Sequence, residues 1–268
     1  MNNYYSLMTG LPEIGLEGKL PISMDRLREE IDDNVTEGDR RILDYLFLRE
    51  EGMALVKRVK AGETFDEDEV AEMPEFMQRF LLERGAGSRE QGAGNLGPTA
   101  KSQEPTAIPE DMMSLCYYEW AMQCQDRFVS DWFTLNFNMT NVLTALLARK
   151  NGWNVGDYVL GDGEIAEMLR MNKSKDFDLS KEYDFIDDLM KIVDEQDPVQ
   201  KEKRIDAFKW VWLEERTFDD FFSLDALFAY LCKVEMVERW ERLDVEQGKA
   251  TFKQIIEDLR NSARVPEV

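Results

Sequence analysis

The chain has 268 residues, of which 43% are hydrophobic and 11% aromatic; Asp and Glu outnumber Lys and Arg 55 to 33, and there is no His. Without imidazole there is no Ser-His or Cys-His nucleophile pair, no His-bearing zinc or haem site and no ordinary near-neutral proton shuttle. A formal charge of −22 repels phosphate backbones and anionic headgroups, which argues against nucleic acid and unaided membrane-surface binding, while the apolar content suffices for a packed core.

The N-terminus reads as ordered and mostly non-helical to residue 24. Tyr4-Tyr5-Ser6-Leu7-Met8 suits a short strand or extended segment, and Gly10, Pro12, Gly15, Gly18 and Pro21 prevent a long helix beyond it. No basic stretch leads into an apolar one, so no secretory signal is visible. Helical spacing begins near Met24. Thr36 is an N-cap candidate with Asp39 three residues on, ahead of Ile42, Leu43, Leu46 and Phe47. Gly52 is placed to bend or end that helix. Asp66 to Glu69 put carboxylates at a helix start, where they complement its dipole, and Pro74 predicts a kink or two short helices between there and Leu81.

Residues 84–109 carry glycine and proline with almost no large apolar side chain, so they read as a flexible connector between a smaller helical part (1–83) and a larger one (110–268). Gly92-Ala93-Gly94-Asn95-Leu96-Gly97 has the letters of a dinucleotide fingerprint. It lacks the preceding strand and following helix that bring backbone amides to a pyrophosphate, so it reads as linker glycine.

Beyond the connector, Tyr117, Ala121, Cys124, Phe128, Trp132 and Leu135 step along one face of a long helix, with an irregularity predicted at 136–138 and an end at Asn151-Gly152. A glycine-marked loop leads to a short helix over 164–171 and another around Ile186 to Val193. Pro198 suits a first helical position before Ile205, Phe208 and Trp212. Thr217-Phe218-Asp219-Asp220 is a candidate cap for the helix defined by Leu224, Leu227, Leu231, Val234, Val237 and Trp240. Its outer face pairs Glu235 with Arg239 and Glu238 with Arg242 at the supporting four-residue spacing. Thr251 to Asn261 read as a last helix.

No stretch alternates as a strand does, so the class is mainly α, one or more multi-helix bundles. No run of about 18 apolar residues is present, so no bilayer span is expected. The three cysteines, Cys116, Cys124 and Cys232, have no framework spacing and read as free buried thiols. Adjacent acids such as Asp187-Asp188 and Glu214-Glu215 diverge by about 100° on a helix and do not converge on one ligand. Asp157 to Glu164 lack the alternation of a calcium loop. Trp210 and Trp212 cannot both face one core, so one of them is expected to face a partner or a domain contact.

Three segments carry a family resemblance. Tyr4-Tyr5-Ser6-Leu7-Met8-Thr9-Gly10-Leu11-Pro12 resembles the opening of an uncharacterised bacterial family whose genes often lie among those of a V-type ATP synthase. Phe137 to Lys150 is similar to the helix entry, and Asp225 to Trp240 to the Ala-Tyr-Leu-x-x-Lys-x-x-Glu helix, of that machine's central-stalk C subunit (the d subunit in eukaryotes). Asn138, Thr144 and Trp240 depart from the pattern. A faint likeness between 44–62 and 131–152 hints at an internal repeat.

The resemblance implies an all-α coupler, like the C subunit, that is not an enzyme and holds no cofactor or metal. Its partners would be stalk or rotor subunits of a V-type ATP synthase, with no nucleic acid and no direct lipid anchor. It would be cytoplasmic, tied to the inner membrane through those partners. Asp225, Tyr230, Lys233, Glu235 and Arg239 mark its signature helix, where intrahelical ion pairing is the expected role of the charged members. The alternatives are a helical carboxylate- and Lys-based small-molecule enzyme, and an assembly factor that binds the same machine transiently.

Overall fold

A computed structural model describes residues 4–89, 108–181, 183 and 185–242; of Gly85 to Arg89 the backbone alone is described. Among these residues there are eleven α-helices and no strand, as the mainly-α expectation requires. The greater part of 84–109, including the glycine fingerprint, and the helix expected at 251–261 lie outside the described residues. The contacts gather the chain into two units: residues 37–205, and a second formed by 1–36 together with 206–268.

In the 37–205 unit, α3 (Glu37–Lys60) is followed by α4 (Glu67–Glu72) and α5 (Glu75–Arg89). Pro74 separates the last two as expected, because its ring cannot continue a helix. Asp66 and Glu69 form a complete capping box, Asp66 accepting from the Glu69 amide at 2.8 Å and Glu69 accepting from the Asp66 amide at 3.1 Å. α6 (Pro109–Ala121) packs against α3, α5 and α7 (Arg127–Lys150), and α8 (Glu164–Met171) and α9 (Ile186–Asp194) also pack on α7. The core between α3, α5, α6 and α7 is aromatic. Tyr45 stacks on Trp120 at 4.0 Å, Phe76 meets Tyr117 edge-on at 5.4 Å, and the Tyr117 hydroxyl donates to the Tyr45 carbonyl at 2.8 Å.

The long helix expected from Tyr117 to Leu135 is two helices. α6 stops at Ala121, and Asp126 caps α7 by accepting from the Val129 amide at 3.0 Å. Apolar spacing stays in phase across this break, so periodicity alone joins the two. The irregularity expected at 136–138 is absent. Asn136 stays helical by donating its amide back to the Trp132 carbonyl at 2.8 Å. Gly52, expected to bend or end α3, lies in its uninterrupted interior, where Phe76 and Met113 press closely on it. Asp126→Ala and Asp66→Ala should each lower stability by about 1 kcal/mol, measured by urea unfolding; no change in midpoint for either would remove the capping role.

The two segments that resemble each other in sequence end alike. α3 and α7 are both 24 residues long, and each is followed at the second position by a glycine of positive φ, Gly62 at 83° and Gly152 at 73°. The bonds from the Glu63 amide to the Arg58 carbonyl and from the Trp153 amide to the Ala148 carbonyl close the two ends in the same way.

The other unit is built from α1 (Tyr5–Gly10), α2 (Met24–Asn34), the later turns of α10 (Pro198–Thr217) and α11 (Leu224–Arg242). Tyr5 to Met8 are helical, not extended. The glycines and prolines beyond them disfavour a helix locally, but tertiary contacts hold this turn: the Tyr4 amide donates to the Phe222 carbonyl at 2.8 Å, Tyr5 lies 4.7 Å from Phe222, and Leu7 is buried. Thr217 closes α10 and does not cap α11. That cap is Ser223, whose hydroxyl accepts from the Ala226 amide at 3.2 Å.

All three thiols are free and buried. Burial pushes the Cys116 thiol up to about 11 and that of Cys232 well above its ordinary value, and it raises Cys124. Burial thus both shields the three thiols and disfavours their thiolates, so a disulfide-exchange thiol reagent should find no reactive group in the native protein and three after unfolding in guanidinium chloride. Prompt labelling of the folded protein would contradict this burial.

Candidate functional site

Helix α11 carries the signature residues, and its apolar spacing explains its placement. Ala226, Leu227, Phe228, Leu231, Cys232, Val234 and Val237 are buried, with α2 packed on one side. The polar members fall on the margins of this face. Asp225 lies in the first turn, where a carboxylate complements the helix dipole. Tyr230 reaches the N-terminal segment, its hydroxyl donating to the Pro12 carbonyl at 2.9 Å; burial pushes its phenol up to about 12. Glu235 is half-buried.

Lys233 and Arg239 reach across to α10, which runs antiparallel to α11 along this seam. At one end the Trp210 indole donates to Glu214 Oε1 at 2.8 Å, and Lys233 Nζ donates to the same oxygen at 3.2 Å while lying 4.8 Å above the Trp210 ring. At the other end Asp206, only 1% exposed, accepts at one oxygen from Arg239 Nη2 at 2.5 Å and from the Trp240 indole at 2.6 Å. Each end therefore converges a cation and an indole on a single carboxylate oxygen. The intrahelical pairing expected on the outer face is present for Glu238 and Arg242 at 2.7 Å, and Arg239 also reaches Asp206 on α10.

Asp206 escapes a reading of the sequence, and for a physical reason. The stripe that the spacing suggests on α10 is Ile205, Phe208 and Trp212, all of which are half-buried. The buried stripe is Asp206, Trp210 and Leu213. An acid on the interior face lowers the apparent hydrophobicity of the correct side and shifts the periodic signal by one or two positions. The available clue is the spacing of Asp206 and Trp210 ahead of the Arg239-Trp240 pair of the next helix. Trp210 and Trp212 do separate: the first is buried in the seam, and the second is half-buried beneath the Arg216 guanidinium, 4.4 Å from its ring.

The other segment with a family likeness, residues 137–150, forms the second half of α7 and is used structurally at its end. Arg149 donates to the Asn172 carbonyl at 3.0 Å and to the Ser174 carbonyl, and its guanidinium lies 3.7 Å over the Phe177 ring. Burial lowers its pKa. Lys150 donates to the Val193 carbonyl at 3.1 Å. These contacts tie the end of α7 to the turn in which Phe177 and Asp178 adopt positive φ and to α9. Among the described residues no group of three or more Cys, Asp or Glu is arranged to hold a metal ion. The chemistry of the seam is that of fixing two helices to each other: Asp206 and Glu214 are both engaged by neighbouring donors.

These features define a helical protein whose polar residues lock helix to helix. The chain belongs to the family described as "Protein of unknown function (DUF2764)", whose model matches residues 1–71 and 64–263. No curated protein and no solved structure matches it. None of the helices, among the described residues, is long and apolar enough to cross a membrane.

Proposed function

We propose that this protein is a non-catalytic accessory or central-stalk-type subunit of a V-type ATP synthase, acting through protein–protein contacts. The observation that carries the reading is the likeness of two segments, 137–150 and 225–240, to helices of the central-stalk C subunit, together with their place in the chain: both fall within long uninterrupted helices. A coupling subunit transmits torque as a solid body, so helix ends and seams closed by charged side chains suit the task. Lys233 and Arg239 fix α11 to α10, and Arg149 fixes the end of α7. The charge of −22 suits attachment to basic surfaces of stalk or ring subunits, where complementary potential raises the association rate. On this reading the protein lies at the inner membrane only through its partners.

The test is mass spectrometry of the native ATP synthase purified under mild, low-salt conditions. The protein is expected in fixed stoichiometry with the stalk subunits. Recovery in substoichiometric amounts, only during biogenesis, would assign it to assembly instead, and recovery alone would remove it from the machine.

A further inference from the structure

We infer that the turn joining α10 to α11 is a docking surface for a basic, aliphatic-bearing segment of a partner protein. The inference deepens the stalk-subunit reading by naming its contact surface, and it rests on that reading for the partner's identity. The chain here runs Phe218-Asp219-Asp220-Phe221-Phe222. Phe218 is 70% exposed and Phe221 59%, their rings 6.2 Å apart, and Tyr5, also 59% exposed, lies against Phe222 at 4.7 Å. Single exposed aromatics are ordinary, but here three exposed rings occur in two ring pairs that the adjacent residues Phe221 and Phe222 bring together.

The turn is held in shape before any partner arrives. The Tyr4 amide donates to the Phe222 carbonyl at 2.8 Å, the Phe222 amide donates to Asp220 Oδ1 at 3.4 Å, and the Ser223 hydroxyl donates to the Asp220 carbonyl at 3.0 Å. A turn backbone fixed in this way loses little freedom on binding, and aromatic side chains carried on it have few torsions left to order.

Charge decides the occupant. From Glu214 to Asp225 the chain carries five acids and one base, Arg216; Glu214 is engaged by Lys233, and Asp219 and Asp220 are the acids of the turn itself. Asp219 and Asp220, which separate Phe218 from Phe221 along the chain, are exposed. An Arg or Lys of a partner can pair with these carboxylates while its stem or guanidinium plane covers a Phe face, as Arg216 already covers Trp212. A second copy docking by the same face would set Asp219 and Asp220 against their own kind. The chain's own residues 243–268, outside the described structure, hold five acids (Asp244, Glu246, Glu257, Asp258, Glu267) against four bases (Lys249, Lys253, Arg260, Arg264), so they do not supply the complementary charge.

The experiment places a photoreactive side chain in the full-length protein, Phe218→p-benzoylphenylalanine, in the native cell. Met171, 82% exposed and elsewhere in the chain, is replaced by the same group as control. After irradiation the crosslinked peptide is sequenced by mass spectrometry. A peptide with net positive charge and several aliphatic residues is expected. Its yield should fall at least tenfold in the Asp219→Asn/Asp220→Asn background and on washing at high salt, with the thermal midpoint unchanged. A crosslink to an acidic segment, to a second copy, to residues 243–268, or a yield no greater than from position 171 overturns the proposal. A basic segment belonging to a protein outside the ATP synthase supports the docking surface and overturns the stalk reading. Stoichiometric presence in the ATP synthase without a crosslink from position 218 overturns the docking surface alone.

Discussion

Gly52→Leu is expected to destabilise the protein by about 3 kcal/mol, because α3 can no longer seat against its neighbours. An ideal Cβ at Gly52 would stand 3.0 Å from Phe76 Cε2 and 3.1 Å from Met113 Sδ. Phe76 is among the fully buried side chains, and its ring is held by Tyr117 and Trp120, so it has little room to retreat. The Met113 thioether can yield more easily. Gly52→Ala is therefore the milder case. The gain of about 1 kcal/mol in helix propensity offsets part of the crowding, and the net loss should be well below that of the Gly52→Leu change. Thermal and urea unfolding of the two variants read this directly. Equal stability of the Gly52→Leu variant and the wild-type protein would mean that the α3–α5–α6 contact is not close at this point.

Arg239→Ala is expected to cost roughly 3 kcal/mol, because it removes one of two donors from a carboxylate that has almost no access to water. Asp206→Ala should cost less. The Arg239 guanidinium is 46% exposed and can be rehydrated, leaving chiefly the Trp240 indole without its acceptor. The double variant should lose less than the sum of the two, since either single change already breaks the pair. Urea unfolding of the four proteins forms the cycle. Strict additivity would show that Asp206 and Arg239 do not act together, and the α10–α11 seam would then owe its rigidity to apolar burial alone.

Helix boundaries with strong local chemistry are legible in the sequence. Asp66 with Glu69, Pro74, Asn151-Gly152 and Pro198 each mark a boundary where it occurs, because caps, prolines and positive-φ glycines act on their own few residues. The break at residues 122–126 is not legible, since apolar spacing keeps its phase across it, and the helical turn at Tyr5 is not, since Phe222 stabilises it from far along the chain. At the candidate site, the apolar spacing from Leu224 to Trp240 marks α11 and places its charged members on its margins. Asp206 and the exposed pair Phe218 and Phe221 stay hidden, the first because an acid disguises a buried face and the others because a turn has no periodicity to reveal which side chains face water.

Residue types and their spacing by themselves determined the mainly-α class, the excess of acidic charge and the exclusion of imidazole chemistry, for these depend on composition and on neighbours a turn or two away. The tertiary structure alone decided that residues 37–205 close as one unit and that 1–36 joins 206–268, and it alone committed Arg239 to Asp206. Such pairings join residues distant along the chain, and their free energy exists only once packing has removed water from between them.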